Sequence, residues 1–220
     1  MKKYAVNEVY YSVHGEGVRY GIPHVFVRLA YCNLACDFCD TEHESAICLE
    51  ARDIVAAATS LAASKIDAPR TLQVPGATHH SEPLPAQPCR NVLFCGGEPL
   101  LQLDAELIEA FKTADPIWFL AVETNGTRPA PPGLDWITCS PKVAEHAVKL
   151  EYAHELKYVR GAGQAIPHPR IPADYYLISP VFDGDQADPA AMATCLALVL
   201  ANPSWRLTVQ HHKTTFGVVR

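Results

Sequence analysis

The feature that most constrains the fold is a series of short segments that are apolar almost throughout and rich in β-branched or aromatic residues. Each segment has the length of a strand and is too short for a helix. Strands that are buried on both faces, as in parallel sheets, have this composition, whereas strands with one wet face alternate. We therefore predict a mainly parallel sheet. Its strands are His24–Ala30, Asn91–Cys95, Trp118–Glu123, Trp136–Cys139, Glu155–Val159, Tyr175–Ile178 and Arg206–Gln210.

Helical segments are about half as numerous as strand segments. Ala51–Ile66 is Ala-rich, Leu103–Ala114 has Asp104 as a plausible N-cap, and Asp188–Ala201 begins with the favourable pair Asp and Pro. The chain has 220 residues, fewer than the about 250 of a complete eightfold βα barrel. The expected fold class is therefore α/β, a contracted and incomplete (β/α) barrel with fewer helices than strands.

A single domain is expected over residues 1–220, because the chain has no internal repeat and no linker that would divide it. The segment at about 68–90 is rich in Pro and has no periodicity, so we interpret it as a loop insertion.

Charge and hydropathy exclude several classes of partner. The net charge is −6 and no long Lys/Arg run occurs, which argues against nucleic acid but leaves a small anionic ligand open. No apolar run approaches the roughly 18 residues of a membrane span, and the first residues do not form a signal peptide. We expect a cytoplasmic protein, in which eight cysteines indicate metal or redox chemistry rather than disulfides.

Three of these cysteines, Cys32, Cys36 and Cys39, lie within eight positions. Three interpretations are open: unrelated buried thiols, a structural zinc site completed by His43, and an iron–sulfur cluster with one open iron. The tight spacing argues against the first. The second is disfavoured because structural zinc sites usually take their ligands from two separated elements.

The positions of two loops favour a catalytic site. The cysteine loop follows the strand His24–Ala30, and Gly96-Gly97-Glu98-Pro99 follows the next strand. The C-terminal ends of strands are where α/β barrels place their active sites. Gly-Gly at such an end lets the backbone approach a ligand closely.

The pattern C-x-x-x-C-x-aromatic-C, with Phe38 as the aromatic residue, resembles the signature of the radical S-adenosylmethionine (SAM) superfamily. The resemblance implies a [4Fe–4S] cluster on the three cysteines, with SAM bound at the open iron and cleaved to an adenosyl radical. Gly-Gly-Glu-Pro resembles the superfamily segment that contacts SAM, which implies that Gly97 binds SAM.

Longer motifs resemble one family, the 7-carboxy-7-deazaguanine synthases. The similarity starts in YYSVHGEGVRYGIPHVFVRLAYCNLACDFCDT and extends over nearly the whole chain outside the Pro-rich insertion. Further motifs are GGEP, Glu123–Thr127, Ser140–Lys142, Glu155–Lys157 and Trp205–Lys213. The family implies a contracted barrel, a homodimer and a carbon–nitrogen lyase of queuosine and 7-deazapurine biosynthesis. The implied reaction converts 6-carboxy-5,6,7,8-tetrahydropterin to 7-carboxy-7-deazaguanine by radical ring contraction, with loss of ammonia, regeneration of SAM and help from Mg²⁺. A flavodoxin is a plausible reductant.

The resemblance also assigns site residues. It implies SAM contacts from Phe38, Gly97, Ser140, Pro141, Lys142 and Ser179, and a Mg²⁺ contact from Thr41. It implies substrate contacts from Val13, His14, Gly15, Glu16, Arg28, Cys95 and Glu123. Arg28 would clamp the substrate carboxylate, although an internal ion pair, for instance to Glu16, is the alternative for an Arg in an apolar strand. Glu123 would accept hydrogen bonds from pterin N–H groups.

Two positions depart from the family pattern: His14 stands where Gln is usual, and Cys95 stands where Thr or Ser is commoner. Since His titrates near neutrality, His14 can change the pH dependence. Two other functions remain open at this point: a radical SAM enzyme with a different substrate, such as an activase, and a zinc-stabilised binding protein.

Overall fold

Short strands make up most of the regular structure, as the apolar segments predict. The computed structural model describes residues 2–37, 39, 41–63 and 88–214. The predicted insertion therefore lies outside the described residues except for its last three positions. The strands are β1 (Lys3–Val13), β2 (Pro23–Leu29), β3 (Ile47–Glu50), β4 (Asn91–Gly96), β5 (Phe119–Thr124), β6 (Trp136–Cys139), β7 (Ala153–Arg160), β8 (Ala173–Pro180), β9 (Phe182–Asp183), β10 (Gln186–Ala187) and β11 (Trp205–Leu207).

Nine strands form one sheet in the order β11-β8-β7-β6-β5-β4-β2-β1-β3, while β9 and β10 form a separate hairpin. The seven strands from β11 to β2 are parallel to their neighbours. They are the seven that the apolar segments predicted, so the mainly parallel sheet is confirmed. The outer strands β11 and β3 do not pair with each other. Within the described residues the barrel is therefore open, as predicted.

Helices are few. They are α1 (Ala51–Ala63), α2 (Ala105–Ala114), α3 (Pro189–Ala201) and the one-turn α4 (His211–Thr214), with 3₁₀ turns at Pro99–Leu101 and Glu145–Ala147. Both predicted caps are confirmed. Asp104 Oδ1 accepts a hydrogen bond from Leu107 N at 3.1 Å, and Asp188 Oδ1 accepts one from Ala191 N at 2.6 Å. Among the described helices, none has both the length and the apolar composition to cross a membrane.

The prediction was incomplete at the antiparallel edge of the sheet. It missed β1 and β3, so strands exceed helices by more than the predicted ratio. Most residues of β1 and β3 are only partly buried, and their segments therefore have no continuous apolar run. The last strand is also shorter than predicted. It ends at Leu207, and the chain turns so that His211 N donates to Gly15 O at 2.9 Å.

Alternation along the strands separates the core from the site. Leu29, Phe94 and Val122 face the hydrophobic core beneath the helices, where the Phe94, Phe111 and Trp118 rings pack edge to face. The residues at intervening positions, Arg28, Cys95 and Glu123, line cavities at the C-terminal ends of the parallel strands. The two-residue alternation along each strand therefore places apolar side chains in the core and polar side chains in the cavities.

Candidate active site

The three clustered cysteines border one cavity of about 250 Å³ at the C-terminal ends of the strands. All three carry free thiols. A turn closes the loop, because Cys39 N donates to Cys36 O at 3.0 Å, and Leu34 N donates to Cys32 Sγ at 3.4 Å. Three thiolate-capable groups around one cavity are a donor set that an iron–sulfur cluster can use.

A strained residue precedes the cysteines. Tyr31 has φ of 71°, a left-handed conformation that is uncommon for residues other than Gly. It is fixed from both sides, because its N–H donates to His43 O at 2.6 Å and its carbonyl accepts from Glu98 N at 2.9 Å. Such strain persists where surrounding contacts over-determine the backbone, and it is concentrated at functional sites.

Gly96 and Gly97 lie directly against the chain that leads into the cysteine loop. Gly96 has φ of +131°, and a Cβ on it would lie 1.9 Å from Leu29 O. A Cβ on Gly97 would lie 2.2 Å from Tyr31 O and 3.0 Å from Cys32 Cβ. Neither position has space for a side chain, so these glycines permit close packing of β4 against the start of the cysteine loop.

Glu98, to which we assigned no role from the sequence, ties two strand ends together. Its side chain is fully buried. Oε1 accepts from Leu100 N at 2.9 Å and from Thr124 Oγ1 at 2.7 Å, and Oε2 accepts from Asn125 N at 2.7 Å. Burial raises the pKa of Glu98 even though these hydrogen bonds favour the carboxylate. The ends of β4 and β5 are thereby held as one unit.

Glu98→Gln is expected to lower the free energy of unfolding by about 1–3 kcal/mol, because one amide N–H₂ would then face a donor in a buried site. Thermal or denaturant unfolding of the purified protein measures this. Glu151→Gln, at an exposed position, is the matched control and should change stability little. Equal stability of the Glu98→Gln variant and the wild type would show that the carboxylate does not join the strand ends.

A second cavity of about 390 Å³ adjoins the first. The two share a boundary formed by Glu16, Thr41, Cys95, Gly96, Glu123 and Gln210. All seven residues predicted to contact substrate line this second cavity. Thr41, the predicted Mg²⁺ contact, lies where the cavities meet.

Arg28 presents a guanidinium to the second cavity. Its Nη2 donates to Tyr10 Oη at 3.2 Å, and Nη1 lies 3.8 Å from Glu8 Oε2. Its Nε is buried and has no hydrogen-bond partner among the described residues. The internal partner considered from the sequence, Glu16, is wrong, because that carboxylate pairs with Lys157 at 2.8 Å. The guanidinium is thus only partly satisfied by the protein. Burial raises the pKa of the neighbouring Cys95 to about 12, so that side chain is a neutral thiol.

Glu123 lies at the centre of a charged network. Its Oε1 is 3.3 Å from Lys157 Nζ and 3.3 Å from His14 Nε2. Burial acts to raise the pKa of Glu123, but the charge of Lys157 and the hydrogen bond from His14 outweigh it, and the pKa falls far below its usual range. Burial acts to lower the pKa of Lys157, but the carboxylates of Glu123, Glu16 and Glu155 outweigh it and raise it. Glu123 and Lys157 are therefore both charged at neutral pH.

Comparison with known proteins shows the family to which the chain belongs. The Radical SAM superfamily profile matches residues 27–153. A 7-carboxy-7-deazaguanine synthase of Bacteroides thetaiotaomicron is 32% identical over 94% of this chain and 95% of its own. That of Bordetella pertussis is 35% identical over 96% of this chain and 97% of its own. The chain belongs to the 7-carboxy-7-deazaguanine synthase family of radical SAM proteins. The crystal structure of QueE from Escherichia coli has the same fold, with a TM-score of 0.65 over 96% of this chain and 95% of that one at 20% identity.

Membership of the radical SAM superfamily implies a [4Fe–4S] cluster and SAM, and the three cysteines that border the first cavity are the kind of ligand that such a cluster takes. In the described part of the chain, no three His, Cys, Asp or Glu side chains converge tightly enough to hold a single metal ion. His43, the fourth ligand of the zinc alternative, borders the cavity without completing such a group. The zinc-stabilised binding protein is excluded by the match to the Radical SAM profile and to the synthase relatives.

Most residues that family resemblance assigns to SAM lie around the first cavity. Gly97, Ser140, Lys142 and Ser179 line it, whereas Pro141 does not. Phe38 lies outside the described residues. Lys142 Nζ donates to Ser140 Oγ at 2.5 Å. The pKa of Lys142 is lowered, mainly by burial and to a smaller extent by the positive charge of Lys157.

Several residues in the cavities of this family member were missed in the sequence. Lys157 pairs with carboxylates that are distant along the chain, and Tyr10 belongs to the unpredicted strand β1. Gln210, His212 and Lys213 line the second cavity because the chain turns after β11. The sequence could have indicated Lys157 as a site residue. Lys157 and Glu155 are two positions apart, so these two charged residues point from the same face of an otherwise apolar strand.

Proposed function

We propose that this protein is a 7-carboxy-7-deazaguanine synthase, a carbon–nitrogen lyase that converts 6-carboxy-5,6,7,8-tetrahydropterin to 7-carboxy-7-deazaguanine and ammonia. The observation that carries the proposal is the joining of the cysteine cavity to a second cavity lined by Arg28 and Glu123. A cofactor in the first cavity would meet a substrate held in the second.

The cofactors supply the one-electron chemistry, and the protein binds and orients the reactants. Cys32, Cys36 and Cys39 would hold the cluster. We propose that Phe38, Gly97, Ser140, Pro141, Lys142 and Ser179 contact SAM. Six residues line both cavities, which favours direct approach of the two ligands.

Arg28 and Glu123 would hold opposite ends of the substrate. The guanidinium of Arg28 is a planar donor that suits a carboxylate, and it has unused hydrogen-bonding capacity. The carboxylate of Glu123 accepts hydrogen bonds, as the ring and amino N–H groups of a pterin require. Lys157 keeps that carboxylate ionised. The backbone of Val13–Gly15, together with Glu16 and Cys95, would complete the wall around the substrate.

Arg28→Lys is expected to raise KM for the pterin about tenfold, since one bidentate contact to a carboxylate becomes a single point charge. Steady-state kinetics under anaerobic conditions measure this. Arg206→Lys, at an exposed position outside both cavities, is the control. A KM equal to that of the wild type would remove Arg28 from the carboxylate site.

We also propose that Mg²⁺ binds at the junction of the cavities with the Thr41 hydroxyl as a ligand. Mg²⁺ prefers oxygen ligands and keeps several waters, and Thr41 borders both cavities. A further part of the proposal is a cytoplasmic homodimer that is reduced by a flavodoxin. The eight free thiols suit a reducing compartment, and exposed Leu196 and Leu200 on α3 offer an apolar surface to a second copy.

One anaerobic assay tests the function. Protein with a reconstituted cluster is mixed with SAM, a reductant, Mg²⁺ and 6-carboxy-5,6,7,8-tetrahydropterin, and products are identified by mass spectrometry. The expected result is 7-carboxy-7-deazaguanine over many turnovers without matching loss of SAM. If only 5′-deoxyadenosine and methionine form, the substrate assignment is wrong while the radical SAM assignment remains.

A further inference from the structure

His14 is held at both ring nitrogens by groups that can only accept hydrogen bonds. It is 4% exposed and lies in the loop after β1. Nδ1 is 2.6 Å from Glu16 O, and Nε2 is 3.3 Å from Glu123 Oε1. A carbonyl oxygen and a carboxylate oxygen have no proton to donate. Each contact is therefore a hydrogen bond only if the ring nitrogen carries the proton.

This geometry fits one protonation state. A neutral imidazole has one N–H and one lone pair. If Nδ1 carries the single proton for the shorter contact, the lone pair of Nε2 points at the ionised Glu123, which is repulsive. The imidazolium has both N–H groups and satisfies both oxygens. The arrangement thus selects the doubly protonated ring.

The charged surroundings of His14 act in the same direction. Burial acts to lower the pKa of His14, and Lys157 on β7 adds to this, but the hydrogen bond and charge of Glu123 outweigh both and raise it. Its other titratable neighbours add little positive charge, because burial lowers the pKa of each histidine among them, to about 4 for the one on β2. Those neighbours are Glu16 in the same loop, Glu155 on β7, His24 on β2 and His212 on α4.

The contacts of Glu123 show which of its carboxylate oxygens a protonated His14 would hold and which it would leave for a ligand. Lys157 and His14 both approach the same oxygen, Oε1. Among the described residues, Oε2 has no hydrogen-bond or ion-pair partner, and the side chain remains 25% exposed beside both cavities. With Oε1 held by two cations, Oε2 is the oxygen presented to a ligand.

We propose that His14, as the imidazolium, is a positioning residue that fixes Glu123 Oε1 and thereby directs Oε2 at the N–H donors of the substrate. This rests on the proposed function for the identity of the ligand. Substrate recognition then requires one proton on His14. Loss of that proton at higher pH places a lone pair against Oε1 and releases the carboxylate from one of its two holders.

The test compares KM and kcat across pH for the wild type, His14→Gln and His168→Gln in the cluster-loaded enzyme. In the wild type, KM should rise about tenfold per pH unit above the His14 pKa, with kcat unchanged, because one proton is coupled to binding. His14→Gln can donate to Glu123 but cannot titrate, so its KM should be flat over that range. His168 is exposed and borders neither cavity, so its variant should follow the wild type.

A second measurement does not depend on turnover. ¹⁵N NMR of imidazole-labelled enzyme without substrate should find both His14 nitrogens protonated at neutral pH, with the signal assigned by its absence in His14→Gln. A neutral His14, or a rising KM limb that persists in His14→Gln, would overturn the proposal. Failure of the proposed function differs from both: the wild type would then make no deazaguanine at any pH, while the NMR result would still stand.

Discussion

Glu123→Gln is expected to lower kcat/KM for the pterin by about a hundredfold or more, because truncating one partner of a buried charge pair typically costs 2–5 kcal/mol. The amide cannot balance Lys157 and His14, which both approach Oε1. It also places an N–H₂ group where the substrate presents donors. SAM cleavage should continue without coupling to product, since the ion-pair partners of Glu123 among the described residues are His14 and Lys157 and not the cluster loop. Product and 5′-deoxyadenosine are quantified in the same anaerobic reaction.

The control for this variant is Glu109→Gln, which removes one carboxylate on the exposed side of α2. It should keep both products at wild-type levels. A Glu123→Gln enzyme with normal kcat/KM would show that the carboxylate does not read the substrate. Equal loss of SAM cleavage and of product would instead assign Glu123 to the cofactor cavity.

Gly97→Ala is expected to abolish both cofactor cleavage and product formation. The added methyl would lie 2.2 Å from Tyr31 O and 3.0 Å from Cys32 Cβ. Tyr31 already has φ of 71° and is fixed by two backbone hydrogen bonds, so the clash would displace the cysteine loop. A displacement of about 1 Å in a catalytic site can cost on the order of a hundredfold in rate. Iron content and 5′-deoxyadenosine formation measure the effect.

Gly161→Ala is the matched control, because the nearest atom to its new methyl would be 3.8 Å away. It should retain iron, SAM cleavage and product. If Gly97→Ala keeps a full complement of iron and cleaves SAM at the wild-type rate, close packing at that glycine is not required for cofactor binding.

The parts of the fold that followed from the sequence are those in which local composition reports burial. Strands β2, β4 and β5 are apolar apart from a few cavity-facing residues such as Arg28 and Glu123, and Asp104 and Asp188 cap helices where expected. Strand β1 escaped prediction because it lies beside the antiparallel edge and has few fully buried residues. Its existence depends on pairing with β2, which a single sequence does not encode locally.

The site divides in the same way. The cysteine loop and the two glycines are contiguous motifs, so their position could be predicted from strand order. The contacts among His14, Glu123 and Lys157 could not, because each residue comes from a different element and the contacts depend on how the strands are arranged. Glu98 was missed for a related reason: of its partners, Thr124 ends the next strand and Asn125 follows it.

The alternation of core and site residues along the parallel strands limits the insertions and deletions within strands that this protein can tolerate. Removing one residue from the middle of β5 would exchange the directions of Val122 and Glu123, placing the carboxylate in the core and the valine side chain in the second cavity. Strand lengths should therefore be nearly fixed under mutation, while loops at the N-terminal ends of the parallel strands, away from the cavities, can change in length. Single substitutions at cavity-facing positions such as Cys95 keep strand length and leave the core-facing neighbours in place. Those positions are the natural starting points for redesigning substrate preference.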